Sequence, residues 1–423
     1  MAPNPAIMQA VEQLGYRVTV GDVSTQAGLN VEIAQQGLLA LASSAGGHLQ
    51  VAESGDMVYL FPRNFRGILR NKYFQLKLQE WWQNIWKILF YIIRISFGIL
   101  LIVSIAVIYI AIMIILMSAR GDSDNDSGGD FGGGGFFYFP DLFWYLGPSY
   151  ETRYEERQRE KRDLNFLEAV FSFLFGDGNP NAKLEERRWQ QIATVIRNNG
   201  NAVVAEQIAP FLDDIGEGFA QEYEDYMLPV LTRFNGQPQV SPEGQIVYYF
   251  PELQVSAAKR RNKLAPLYLE EFTWRFSVAT SGQIMLSAGL GAVNLVGALM
   301  LGSFLRSGVA ALGGFVGLVS GIYWLLLAYG IGFLGVPLVR YFWIQWRNGK
   351  ISDRNRQRQA RARQLATANT ELQHKIEYAQ QFATEKVITK QDLIYSTDQD
   401  MLEQEFQNLL KGDDTQPGIG TRE

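Results

Sequence analysis

Gly47-His48-Leu49-Gln50-Val51-Ala52-Glu53-Ser54-Gly55-Asp56-Met57-Val58-Tyr59-Leu60-Phe61-Pro62 returns later in the same chain as Gly236-Gln237-Pro238-Gln239-Val240-Ser241-Pro242-Glu243-Gly244-Gln245-Ile246-Val247-Tyr248-Tyr249-Phe250-Pro251. The two stretches align without a gap, and eight of the sixteen positions are identical. That density of identity marks an internal repeat. Each copy reads as a β-hairpin: two short runs of strand formers flank a turn, Ser54-Gly55-Asp56 or Pro242-Glu243-Gly244, and a proline closes the second strand.

The residues before each hairpin extend the repeat. In 1–62, an amphipathic stretch precedes a brief strand at Arg17-Val18-Thr19-Val20. Thr19-x-x-Asp22 then has the spacing of a capping box, Gly28 breaks a short helix, and Asn30 is placed to cap another. Helix, strand, helix, turn, helix, hairpin is the order of a winged helix-turn-helix, and this stretch resembles that family; an unrelated small α+β domain is the alternative. The same order is expected over 181–253, with a third helix over 219–234 after an acidic insertion. A partial third copy is expected at 387–410, where Thr389 and Asp392 match Thr19 and Asp22. Residues 411–423 have the composition of a disordered tail.

Membrane segments lie between the repeats. Residues 95–119 carry no charge and are long enough to cross a hydrocarbon core of about 30 Å, which needs about 20 helical residues. Residues 63–94, with Trp81, Trp82, Trp86 and several cations, have the character of an interfacial helix. Residues 277–339 hold two further uncharged runs around Arg306, expected as a transmembrane helical hairpin that Gly335 and Pro337 bring to an end. Small residues recur along it: Ser287 and Gly291, Ala298 and Gly302, then Gly313, Gly317 and Gly321. Such spacing suits close helix packing in lipid. A basic interfacial segment and a polar helix follow over 340–386.

The fold class expected is therefore a mainly α membrane protein with small α+β winged-helix-like repeats and about three transmembrane helices. Residues 120–180 are expected as a linker rich in Gly, Asp and aromatic residues. The charge bias of the flanking cations places the N-terminal unit inside and 120–275 on the opposite side.

The first unit, the aromatic segment 136–146, the stretch Phe171-Ser172-Phe173-Leu174-Phe175-Gly176-Asp177-Gly178-Asn179-Pro180-Asn181 and the second hairpin together resemble an uncharacterised family of multi-pass membrane proteins of cyanobacteria and chloroplasts. The resemblance implies an integral protein of a cyanobacterial plasma or thylakoid membrane, and it brings no catalytic residues.

Composition narrows the chemistry. The chain has no Cys and only His48 and His374, which leaves little for thiolate or multi-histidine metal sites or for nucleophile–base pairs. Asp122-x-Asp124-x-Asp126 and Asp177-x-Asn179-x-Asn181 begin like calcium loops but lack the Gly and Glu that such loops require. No phosphate-binding loop motif is present. No catalytic, cofactor-binding or metal residue is assigned, and no enzyme activity is expected.

A winged helix suggests nucleic acid, and the charges oppose it. Residues 1–61 have Arg17 alone against five carboxylates, and 200–251 have Arg233 alone against eight. The third helix offers Glu32, Gln35 and Gln36. Phosphate neutralisation by Lys and Arg dominates nucleic-acid affinity. The function expected is a membrane-anchored scaffold or assembly factor that binds protein partners, with contact to the bilayer and, through the basic segment after the third span, to anionic lipid. The alternatives are a membrane-tethered nucleic-acid-binding regulator and a small-solute carrier. The spans oppose the last, since Asn294 is the only amide well inside them and no acidic residue or lysine lies there.

Overall fold

A computed structural model describes residues 4–72, 74–120, 165–259, 263–306 and 313–398. The first module begins with α1 (Pro5–Gln13), capped by Asn4, and β1 (Arg17–Val18). Thr19 and Asp22 close a capping box on α2 (Val20–Ala27), which ends at Gly28 in the left-handed region. Asn30 caps α3 (Val31–Ala45), and β2 (His48–Ala52) and β3 (Met57–Leu60) form the first hairpin. Next come α4 (Phe65–Lys72), the long α5 (Phe74–Arg120) and α6 (Phe166–Phe175).

The second module starts with α7 (Leu184–Asn198), β4 (Ala202–Val203) and α8 (Ala205–Ile208), which runs into a 3₁₀ turn at Ala209–Phe211. The single helix expected over 219–234 is instead three pieces: α9 (Phe219–Glu222), a 3₁₀ turn at Asp225–Met227 and α10 (Leu228–Phe234). Glu224 breaks the run at a φ of +55°, and Pro229 starts the last piece. The hairpin of β5 (Gln237–Val240) and β6 (Ile246–Tyr249) leads to α11 (Pro251–Gln254) and β7 (Val255–Ser256). Beyond these lie α12 (Ser281–Arg306), α13 (Gly314–Ala366), α14 (Thr370–Gln380), β8 (Lys386–Val387) and β9 (Leu393–Ser396).

Both hairpins are antiparallel, and they share their registers. Tyr59 stands opposite Leu49 and Val18; Tyr248, its counterpart in the alignment, stands opposite Pro238 and Val203. The strand orders are β1-β3-β2-β9 and β4-β6-β5, so the sheets differ only by the added β9. Proline explains the difference. In the first sheet the outward Leu49 N–H donates to Thr397 Oγ1 (2.8 Å), and the Leu49 carbonyl accepts from Thr397 N (3.0 Å). Pro238 holds the matching place on β5 and has no N–H to give.

The chain divides into two compact units. The first gathers residues 1–82, 181–272 and 350–423, so both modules and the C-terminal segment share it. Its joints are polar and buried. The Asp22 carboxylate accepts from Ser256 Oγ (3.0 Å) and Ala257 N (2.9 Å), and Thr19 Oγ1 donates to Val255 O (2.9 Å). Gly21 permits this approach, because a Cβ there would collide with the Glu252 carbonyl. β7 pairs in parallel with β8, and α14, with Phe382 just beyond it, packs on the second sheet through Ala379 and Ile376. Residues 181–272 therefore cannot lie across a membrane from the N-terminal unit, as the cation distribution suggested. Long domains are positioned with little regard to flanking charge, and here the packing decides.

The second unit gathers residues 83–180 and 273–349. Three helices among the described residues are long and apolar enough to cross a membrane: α5 over Asn84–Ser118, α12, and α13. The interfacial helix expected over 63–94 is not separate from the first span, since α5 carries Trp81, Trp82 and Trp86 in one uninterrupted helix with it. Gly335 and Pro337 do not end α13, which runs on through the first part of 340–386. Proline removes one backbone bond, and in apolar surroundings the flanking turns have no alternative partner and stay closed. Within 120–180, α6 is a core element rather than linker: Val170, Phe173 and Leu174 pack with Leu101, Leu290 and Phe333. The small residues of α12 are used unequally with those of α13. A Cβ at Gly291 or Gly302 would strike Phe333 or Tyr323, whereas Gly313, Gly317 and Gly321 face open space.

The expected third repeat at 387–410 is overturned where it is described. Thr389 N and Oγ1 donate to Asp392 as a cap would, but Leu393–Ser396 follows as β9, because the open edge of β2 takes up this run of strand formers. Residues 136–146, the Asp122 to Asp126 spacing and residues 401–410 lie outside the described residues.

Candidate interaction surfaces

Arg17 and Arg233, the lone cations of 1–61 and 200–251, both turn inward. Arg17 donates to the Ile388 carbonyl (2.9 Å), the Ala257 carbonyl and Gln50 Oε1 (3.2 Å). Arg233 donates through Nε and Nη2 to the Gly28 carbonyl (2.9 and 2.6 Å) and lies over the Trp189 ring at 4.4 Å. Each is spent on holding one module to another part of the same unit. The outer face of α3 carries exposed Glu32, Gln35 and Gln36 beside Ile33 and Leu39, which are about half exposed.

Behind the acidic insertion lies a buried ionic network. Arg358, 1% exposed, donates to Glu271 Oε1 (2.8 Å), the Leu269 carbonyl (3.0 Å) and Asp213. Arg354 grips Glu271 with two bonds (2.8 and 2.6 Å), and Arg188 reaches Asp213 from the other side. A second network joins α14 to the second module. Lys375 meets Glu206 (2.9 Å) and Glu224 (2.5 Å), and Tyr248 Oη donates to Glu224 Oε2 (2.8 Å).

Burial alone raises the Asp213 and Glu271 carboxyls, but the arginines overcome it and hold both below their ordinary range. Burial lowers the Lys375 ammonium, and its two glutamates more than restore it. A carboxylate with a depressed folded pKa stabilises the fold above its unfolded pKa of about 4, and that contribution disappears as pH falls through the lower folded value. The unfolding midpoint of the polar unit is thus expected to drop as pH is lowered below about 4, and Glu271→Gln should flatten that acid limb. An unchanged acid limb in the variant would show that Glu271 carries no such linkage.

The cations after the third span are mostly committed. Arg340 donates to the Ser172 and Phe173 carbonyls (3.2 and 3.1 Å) at the C-terminus of α6, and Arg347 lies over Trp274 at 4.9 Å. Arg354 and Arg358 belong to the network above, and Arg361 donates to the Leu212 carbonyl (2.9 Å). Arg356 and Arg363 remain on the surface.

Asp177, which began a calcium-like spacing, is a structural hub. Its carboxylate accepts from Ser172 Oγ (2.6 Å), Val278 N (2.9 Å) and Arg94 (3.2 Å). Asn294 is fully buried and accepts from Ser104 Oγ (2.8 Å). His48 stands 3.5 Å from Asp398 and His374 3.7 Å from Glu377, at separate places. Among the described residues no group of three or more His, Asp or Glu is placed to hold a metal. A polar cleft of about 280 Å³ opens between α2 and α7, lined by Thr25, Gln26, Gln191, Thr194, Arg197 and Lys263. Arg197 there is turned to Ser256 Oγ (3.0 Å) and Asp22 (3.6 Å).

These features define a chain with, among the described residues, three helices fit to cross a membrane and a polar unit of two like-ordered modules sewn together by its C-terminal segment. No family model and no solved structure matches it. It is 39% identical over 417 residues, 95% of this chain and 80% of the relative, to the uncharacterized chloroplastic protein At5g03900 of Arabidopsis thaliana. The chain belongs to the family of that protein, and the three apolar helices fit a membrane protein of a plastid-related membrane.

Proposed function

We propose that this chain is a membrane-anchored scaffold or assembly factor, set in a cyanobacterial plasma or thylakoid membrane, whose winged-helix-like modules bind protein partners. The observation that carries this reading is the inward commitment of Arg17 and Arg233. With those two occupied, the stretches 1–61 and 200–251 hold no other lysine or arginine, and the outer face of α3 offers carboxylate, amide and apolar side chains. The shared helix and strand order with equal registers supports the winged-helix-like description. Exposed Ile33 and Leu39 on α3 suit protein recognition.

The test is made on the full chain in detergent. Duplex DNA at physiological salt should show no appreciable binding by fluorescence anisotropy, while affinity purification from native membranes should yield a salt-stable protein partner. Submicromolar DNA binding that weakens steeply with added salt would favour the nucleic-acid regulator instead. Solute flux through liposomes carrying the chain would favour the carrier.

A further inference from the structure

The second module contains a surface element that the first lacks. In the first module only residues 28–30 separate α2 from α3; in the second, residues 212–227 intervene between the 3₁₀ turn and α10. This insertion is pinned at both ends. At its start, Arg361 holds the Leu212 carbonyl, and Arg188 and Arg358 hold Asp213. At its end, Lys375 and Tyr248 hold Glu224, which keeps its left-handed backbone between them. Within the insertion Asp214 Oδ1 accepts from Gly216 N (2.8 Å).

Between the anchors the element turns its largest side chains to solvent. Phe219 is 77% exposed and Tyr223 64%, and their rings stack at 6.3 Å with an interplanar angle of 23°. Leu228 beside them is also exposed. Around this patch Asp214, Glu217, Glu222 and Asp225 are all exposed, and the sequence from 198 to 232 holds no lysine or arginine. Neither exposed ring belongs to the hydrophobic core that the second module builds from Ile192, Met227, Phe234 and Phe250.

We propose that this patch docks a cationic amphipathic segment of a partner protein, an inference that rests on the reading of the chain as a protein-binding scaffold. Aromatic side chains held in place before binding lose little freedom on contact, and they dominate interface energies. The carboxylates steer a positively charged partner and reject a negatively charged one. An anionic lipid surface meets the same repulsion, which favours protein over membrane as the occupant.

The experiment uses the full chain in nanodiscs of neutral lipid and two fluorescent amphipathic helices, one of leucine and lysine, the other of leucine and glutamate. Partition into the lipid is common to all variants and cancels between them. The lysine peptide should bind the unaltered chain and lose at least about tenfold in affinity to F219A/Y223A. The charge-reversed chain E217K/E222K/D225K should lose the lysine peptide and gain the glutamate one. All substituted positions are exposed, so unchanged thermal unfolding accompanies these results. Binding of the lysine peptide by F219A/Y223A within about twofold of the unaltered chain, or equal binding of the two peptides by the unaltered chain, would overturn the assignment. Co-purification of the same native partner with F219A/Y223A would remove this patch while leaving the scaffold; absence of any partner with either chain would remove the scaffold itself.

Discussion

Replacing Asp22 by alanine is expected to destabilise the polar unit by about 3–5 kcal/mol and to loosen its two modules from each other. The carboxylate is fully buried and serves four groups: Thr19 N (3.2 Å), Ser256 Oγ, Ala257 N and, at 3.6 Å, Arg197. Alanine leaves two backbone N–H groups without their acceptor and opens the capping box of α2, a loss of about 1 kcal/mol by itself. Buried donors left unsatisfied cost about 1–3 kcal/mol each, which sets the larger part of the total. Asp22→Asn is expected to fall between, since its remaining oxygen serves only one side of the former carboxylate. Denaturant unfolding of the full chain in detergent measures the difference, and limited proteolysis near residue 257 should report the loosened joint. A loss under about 1 kcal/mol would mean that the joint is held elsewhere.

Local signals made much of this legible. Turn residues between strand formers marked both hairpins, and Asn30, Gly28 and the Thr19–Asp22 pair set their helix ends as the chain spacing implied. The uncharged runs marked the three long apolar helices. What escaped were features decided by distant segments. Nothing near Asp22 announces Ser256 and Ala257, more than two hundred residues away. Leu393 to Ser396 follows a helix-capping pattern yet becomes a strand, because β2 offers it an edge. Pro337 looked like a terminator and sits inside a continuous helix. The outward aromatic pair at Phe219 and Tyr223 was read as part of the third helix after the acidic insertion; a signal was available in two large rings placed among carboxylates. Likewise, the isolation of Arg17 in 1–61 and Arg233 in 200–251 was read as a shortage of cations, and their use as internal fasteners needed coordinates.

Sidedness carries the other large effect, because it is all or none. Residues 4–72, 181–259 and 369–398 share buried hydrogen bonds and a sheet, so they occupy one side of any membrane that the apolar helices cross. The sequence contains no cysteine, so single reporters can be placed at the exposed hairpin tips as Ser54→Cys and Glu243→Cys. Each variant, in sealed membrane vesicles of known orientation, is treated with a membrane-impermeant maleimide before and after permeabilisation. Both cysteines are expected to react from the same face. Reaction of Ser54→Cys and Glu243→Cys from opposite faces would contradict a single polar unit joining the two modules.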